Sequence, residues 1–161
     1  MLTRIIAVGK LKEKYLEKGV AEYTKRLQSY TRVHIVEIAD QKIPEGASSA
    51  IEAKILEREG EGILKHLSPS NARAIVVLDR QGQGLTSEEL AAWLQQMMLH
   101  GKSEVNWVIG GTLGLDDQVI QKADLRLSFS GFTFPHQLMR LILLEQIYRC
   151  FKILRQEPYH R

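Results

Sequence analysis

An α/β fold, a mostly parallel sheet with helices on both faces, is what this sequence predicts, on three observations. Segments of strand character alternate with segments of helix character along the whole chain. The continuous apolar run AIVVLD (74–79) has the composition of a parallel strand covered on both faces, and VNWVIG (105–110) reads as a second buried strand. The segments leaving the buried strands carry glycine: Gly82 and Gly84, then Gly110, Gly111 and Gly114, then Gly131. Open parallel sheets bind ligands beyond the carboxyl ends of their strands, and glycine there lets backbone approach a ligand closely.

Each element follows from local pattern. Residues 2–8 (LTRIIAV) read as a strand ending at Gly9. Residues 13–30 read as an amphipathic helix, because Leu16, Val20, Tyr23, Leu27 and Tyr30 recur at steps of three and four. Residues 33–39 alternate as a half-buried strand, and a polar loop with Pro44 and Gly46 follows. Ser49 and Glu52 have capping-box spacing, opening a helix to about Leu67 that Ser68-Pro69-Ser70-Asn71 breaks. After the strand 74–79, RQGQGL reads as a loop. Thr86 and Glu89 repeat the capping-box spacing, and their helix runs to about His100, with Gly101 as its stop. Strand 105–110 leads to a short helix, 116–124, and then strand 125–129. Pro135 suits the first turn of a last helix that reaches about Arg155.

That last helix is apolar around most of its girth, with Leu138, Met139, Leu141–Leu144, Ile147, Tyr148, Phe151, Ile153 and Leu154. One face can cover the sheet; a dimer partner is the expected cover for the other. Arg140, Glu145, Arg149 and Lys152 interrupt the pattern and are inconsistent with lipid. The 161 residues suit one domain, 1–161, able to bury a core unaided. No membrane span or signal peptide is expected, since no apolar stretch reaches the needed length. The single cysteine, Cys150, fits a reducing, cytoplasmic setting and reads as packing inside the last helix.

Net charge is +3, unevenly spread. Residues 1–34 hold eight Lys/Arg against three acids, and residues 126–161 hold six against two, around an acidic middle. Two basic ends are the pattern of a surface for a polyanion such as RNA. Other functions are excluded by motif. Gly82-Gln83-Gly84 lacks the third glycine of a dinucleotide fingerprint, since position 87 is Ser. There is no phosphate-binding P-loop, no nucleophile elbow and no spacing of His or Cys for a metal, so no metal is expected. What remains is the pair IGGTLG (109–114) and FSGFTFPHQLMR (129–140). The loop Phe129–Phe134 joins aromatics to Ser130, Gly131 and Thr133, a composition suited to enclosing an adenine while backbone amides read its edge. The tail Pro158-Tyr159-His160-Arg161 concentrates groups that stack on bases and bind phosphate.

These residues carry a resemblance. VVLD (76–79), VIGGTLG (108–114), FSGFTFPHQLMRLILLEQIYRCF (129–151), PYHR (158–161) and the opening IIAVGKLKEKYLEKGVAEYTKRL (5–27) closely resemble the ribosomal RNA large subunit methyltransferase H (RlmH) family of the SPOUT superfamily. The resemblance implies a C-terminal trefoil knot within a cofactor-binding part of about 72–161, which base rates for chain threading would never suggest. It also implies a homodimer. The implied reaction moves a methyl group from S-adenosyl-L-methionine to N3 of a pseudouridine in a 23S rRNA stem-loop at the ribosomal subunit interface, acting on the ribosome. Cofactor contacts then fall at Leu78, Gly110 and the loop Phe129, Ser130, Gly131, Phe132, Thr133 and Phe134. His136, Arg140 and His160 are the implied catalytic residues, and Tyr159, His160 and Arg161 the implied substrate-binding ones.

The chemistry sets the requirement. A sulfonium methyl is already activated, so no metal is needed, whereas the imide N3–H is a poor nucleophile until its proton leaves. The protein must therefore hold donor and acceptor in line and favour deprotonation. His136 or His160 supplies a base, or an arginine stabilises the anion; sequence does not choose between them. Two rivals share the fold: a methyltransferase acting on tRNA and a non-catalytic RNA-binding regulator.

Overall fold

The computed structural model describes residues 1–67 and 70–159. Five strands, β1 (Leu2–Val8), β2 (Arg32–Ile38), β3 (Arg73–Gly84), β4 (Glu104–Ile109) and β5 (Leu125–Ser128), form one sheet in the order β2-β1-β4-β3-β5. Every pairing is parallel. The helices are α1 (Lys14–Leu27), α2 (Ser49–Leu64), α3 (Ser87–Leu99), α4 (Asp117–Ile120) and α5 (His136–Leu154).

The buried apolar residues divide into two cores, one on each face of the sheet. On one face Ile5, Val76, Val105 and Trp107 pack with residues of α1, α3 and α5. On the other, Ile6, Val8, Val77 and Val108 pack with Ile63 of α2 and Val119 of α4. Alternate residues of one strand serve opposite cores, as pleating requires. Strand β4, EVNWVI, is buried along its whole length, Glu104 and Asn106 included, because it is central and covered on both sides.

Helix α5 lies against both α1 and α3. Leu143, Leu144, Ile147, Cys150 and Phe151 form its inward face. Leu141 abuts Gly19 of α1, where a Cβ would come within 2.9 Å of it. Gln146 accepts a hydrogen bond from Ser87 of α3 at 2.8 Å. Ile142, Tyr148 and Ile153 on its remaining surface are only half-buried. Burial pushes the Cys150 thiol up to about 12, so it stays protonated in its packing position.

Several local expectations shift. The segment RQGQG continues β3 instead of forming a loop, because after a register break between Leu78 and Gln83 it resumes pairing with β5. Gly82 permits this: a Cβ there would lie 2.5 Å from the Arg126 carbonyl oxygen. The cap of α2 is Ser48, not Ser49; its hydroxyl accepts from the Ile51 amide at 3.4 Å. The capping box of Thr86 and Glu89 forms as spaced, at 3.2 and 2.7 Å. Pro135 precedes the first helical residue and serves as N-cap. The short helix α4 ends at Ile120. Among the described residues, no helix is long and apolar enough to cross a membrane.

Candidate active site

The carboxyl ends of β3, β4 and β5 open into a cavity of about 850 Å³, within the usual size range of small-molecule sites. Four chain segments wall it: Leu78–Gln81 within β3 at its register break, Ile109–Leu115 at the end of β4, Asp117 and Ile120 of α4, and the stretch from Arg126 through Met139 around the start of α5. Its apolar lining comes from Leu78, Ile109, Leu115, Phe129, Phe134 and Met139.

The wall after β4 is a tight turn. Gly114 donates its amide to the Gly111 carbonyl at 3.1 Å, and Gly114 holds φ +92°, a conformation that glycine adopts without strain. A Cβ on Gly110 would lie 2.3 Å from the Gly114 carbonyl oxygen. A side chain at Gly110 would strike its own turn. Gly111 is packed from behind by Glu59 of α2, whose Oε2 would lie 2.8 Å from a Cβ there. Glu59 is buried and accepts the Gln41 amide through Oε1 at 2.9 Å. Its burial raises its pKa above the usual carboxylate value.

The wall from β3 to α5 is held by side chains. Arg126 pairs with Asp79 at 2.6 Å. Arg80 donates from Nη1 to the Thr133 hydroxyl at 2.9 Å. The Ser128 hydroxyl stands 3.1 Å from the carbonyls of both Arg80 and Ser130, and the Ser130 hydroxyl accepts the Phe132 amide at 3.0 Å. The loop Phe129–Phe134 is thus tied to the end of β3.

Of the cofactor residues expected from sequence, Leu78, Gly110, Phe129, Ser130, Phe132, Thr133 and Phe134 line this cavity. Gly131 stands outside the lining, exposed, with nothing within 4 Å of a built Cβ. Its glycine character is not demanded by local packing.

His136, the first residue of α5, lines the cavity. Its Nε2 would lie 3.1 Å from a Cβ on Gly9, so the imidazole rests on the end of β1. Burial lowers its pKa, opposed by Asp40 and reinforced by Arg140 and Lys12. The neutral ring is the form present at pH 7.

Arg140 is placed differently from a residue that handles substrate. It is 1% exposed and not part of the lining. One Nη pairs with Glu37 of β2 at 2.6 Å and the other donates to the Gly9 carbonyl at 2.9 Å. Its guanidinium joins the ends of β1 and β2 beneath His136.

Tyr159 also lies away from the cavity of its own chain. Its hydroxyl donates to Glu145 at 3.0 Å and stands 3.1 Å from the Tyr23 hydroxyl. Its ring meets Tyr148 edge-on at 4.9 Å, under the Arg149 guanidinium. Burial and these hydrogen bonds raise the phenol pKa. His160 and Arg161 lie outside the described residues. Sequence reasoning missed Arg80, Arg126 and Glu59. The first two sat in or beside segments read as loop and strand, and only tertiary pairing brings them to the cavity.

The comparisons agree with this architecture. The family model described as "Predicted SPOUT methyltransferase" matches residues 1–160. A protein of Moorella thermoacetica named ribosomal RNA large subunit methyltransferase H is 57% identical over 157 residues, 98% of this chain and 97% of that one. Its namesake from Symbiobacterium thermophilum is 52% identical over 161 residues, covering both chains completely. The namesake from Carboxydothermus hydrogenoformans is 50% identical over 98% of each. Among solved structures, a probable methylase family protein from Haemophilus influenzae aligns with a TM-score of 0.54 over 99% of this chain and 70% of the other; at 10% identity it bears on fold alone. With identity of half or more along the whole length of such relatives, the chain belongs to the SPOUT methyltransferase family, in the group of the ribosomal RNA large subunit methyltransferases H.

Proposed function

We propose that the protein transfers a methyl group from S-adenosyl-L-methionine to N3 of a pseudouridine in 23S rRNA, acting on the ribosome as a homodimer in the cytoplasm. The observation that carries this reading is the full-length identity to relatives named ribosomal RNA large subunit methyltransferase H.

The cavity fits the donor. Apolar side chains of Leu78, Ile109, Leu115 and Phe129 suit an adenine, and the backbone of the Phe129–Phe134 loop offers the donors and acceptors that read its edge. When bound, the group supplies an electrophilic methyl on a sulfonium. The chain's own contribution is to exclude water, to orient the accepting base and to take its proton. His136 is the base in this reading. It lines the cavity, and burial keeps it neutral, so it accepts a proton at neutral pH. Arg140 acts through His136 by holding, at its carbonyl, the residue Gly9 beside which that ring rests.

The tail supports the homodimer. Tyr159 is latched to the outer side of α1 and α5 in its own chain, away from its own cavity. Substrate handling by Tyr159, His160 and Arg161 therefore calls for a second subunit whose cavity the tail can serve. The half-buried apolar surface of α5 supplies a place for that subunit. The C-terminal trefoil knot belongs to the same reading, through the family resemblance.

Incubation with labelled cofactor and, in parallel, intact ribosomes, free rRNA and bulk tRNA tests the proposal. Label in ribosomes is the expected result. Label in tRNA alone assigns a different target, and RNA binding with no transfer assigns a regulator.

A further inference from the structure

The cavity mouth is chemically lopsided. Two arginines line it, and they differ in what they are free to do. Arg126 is neutralised by Asp79 at 2.6 Å. Arg80 is exposed, and among the described residues no carboxylate pairs with it. Among the described residues its side chain makes one hydrogen bond, from Nη1 to Thr133 at 2.9 Å, which ties the guanidinium to the loop and leaves the other donors of its planar fork available. The residue before Thr133 in the loop, Phe132, is 79% exposed, an unusual setting for a large aromatic ring. The remaining lining acid, Asp117, opens α4, whereas Arg80 is bonded to Thr133, the neighbour of Phe132, which brings the positive charge to the loop that carries the bare ring.

An anchored guanidinium beside an unpartnered aromatic ring is the pairing by which proteins hold unstacked RNA: phosphate on the fork, base on the ring. We propose that Arg80 and Phe132 form the substrate-side lip of the cavity, where Arg80 takes a phosphodiester and Phe132 stacks the base of a nucleotide next to the methylated one. Because Thr133 ties Arg80 to the loop that walls the cofactor region, a phosphate held there also steadies that loop. This rests on the reading of the protein as an rRNA methyltransferase and adds the residues that grip the RNA outside the reacting base. Neither side chain is placed at the reacting atoms.

The test compares the wild type with Arg80→Ala, Arg80→Lys, Phe132→Ala and Thr133→Val. Methylation kinetics on ribosomes, the salt dependence of RNA binding and calorimetric binding of S-adenosyl-L-methionine are measured for each. Arg80→Ala is expected to raise KM for the RNA about tenfold with kcat within about twofold. Its plot of log affinity against log salt should be shallower by about 0.7–0.9, the loss of one phosphate contact. Arg80→Lys should keep the slope and lose part of the affinity. Phe132→Ala should weaken RNA binding about tenfold with no change in slope. Thr133→Val keeps the charge but frees the arginine, so it should raise KM at unchanged slope. Cofactor affinity should stay at the wild-type value in the two Arg80 variants. An Arg80→Ala protein with wild-type KM and slope overturns the proposal. So does one whose main loss is cofactor affinity, which would assign the guanidinium to the cofactor's carboxylate. If the wild type methylates no rRNA, the underlying reading fails and the lip falls with it; an active wild type with an indifferent lip isolates failure to this proposal.

Discussion

Arg140 joins Glu37 and the Gly9 carbonyl from a site that is 1% exposed, and its worth follows from what its removal strands. Glu37 keeps about a third of its side-chain surface in water, so its charge stays hydrated when the arginine is lost. The carbonyl loses a charge-assisted hydrogen bond, which sets the cost of Arg140→Met at about 1–3 kcal/mol, read by urea unfolding. Activity should fall further than stability does, because His136 rests on the residue that Arg140 holds. His136 itself carries a pH signature. Burial disfavours its charged form, so its folded-state pKa lies below the ordinary 6.5. The associated stability is present above 6.5 and is lost as pH falls through the lowered folded value. If His136 is the base, the acid limb of kcat/KM also lies below 6.5, and His136→Asn abolishes that limb. A limb at or above 6.5 would move the base elsewhere.

At the scale of elements, the turn after β4 is the most tightly constrained piece of the cavity. Gly110→Ala places a methyl 2.3 Å from the Gly114 carbonyl oxygen, so the turn must open. Thermal melting should show a loss of about 1–3 kcal/mol, with weakened cofactor binding as a consequence of the displaced wall. Gly131→Ala meets nothing and should melt like the wild type. The contrast shows what was legible in the sequence. Both glycines sit after buried strands and look alike in a row of letters; only the fold shows which one has a carbonyl against it. Strands β3 and β4 were readable because their apolar runs are local, and Thr86 with Glu89 because a capping box spans four residues. The extension of β3 through Gly84 was not, since its partner β5 begins 41 positions further on, at Leu125. Nor was the Arg140 pairing with Glu37, 103 positions apart in sequence, which makes the arginine implied as catalytic a buried tie.

For the whole molecule, the reading of α5 divides by face. Ile147 and Phe151 belong to the core of the single chain, so replacing either with Asp should unfold it instead of merely separating subunits. Ile142, half-buried on the outer surface, is the position where Asp should release folded monomers if that surface meets a partner. Sedimentation of the wild type should give about twice the 18.4 kDa of one chain, and a clean monomer would remove the argument that one subunit's tail serves another's cavity. Above both stands the reaction itself. Mass mapping of modified nucleosides in 23S rRNA from a strain lacking this protein, before and after the purified protein and S-adenosyl-L-methionine are added to its ribosomes, tests it most directly. One pseudouridine at the subunit interface should lack an N3 methyl in the deletion strain and gain it on addition. An unchanged rRNA map, or a missing methyl group that appears only in tRNA, would contradict it.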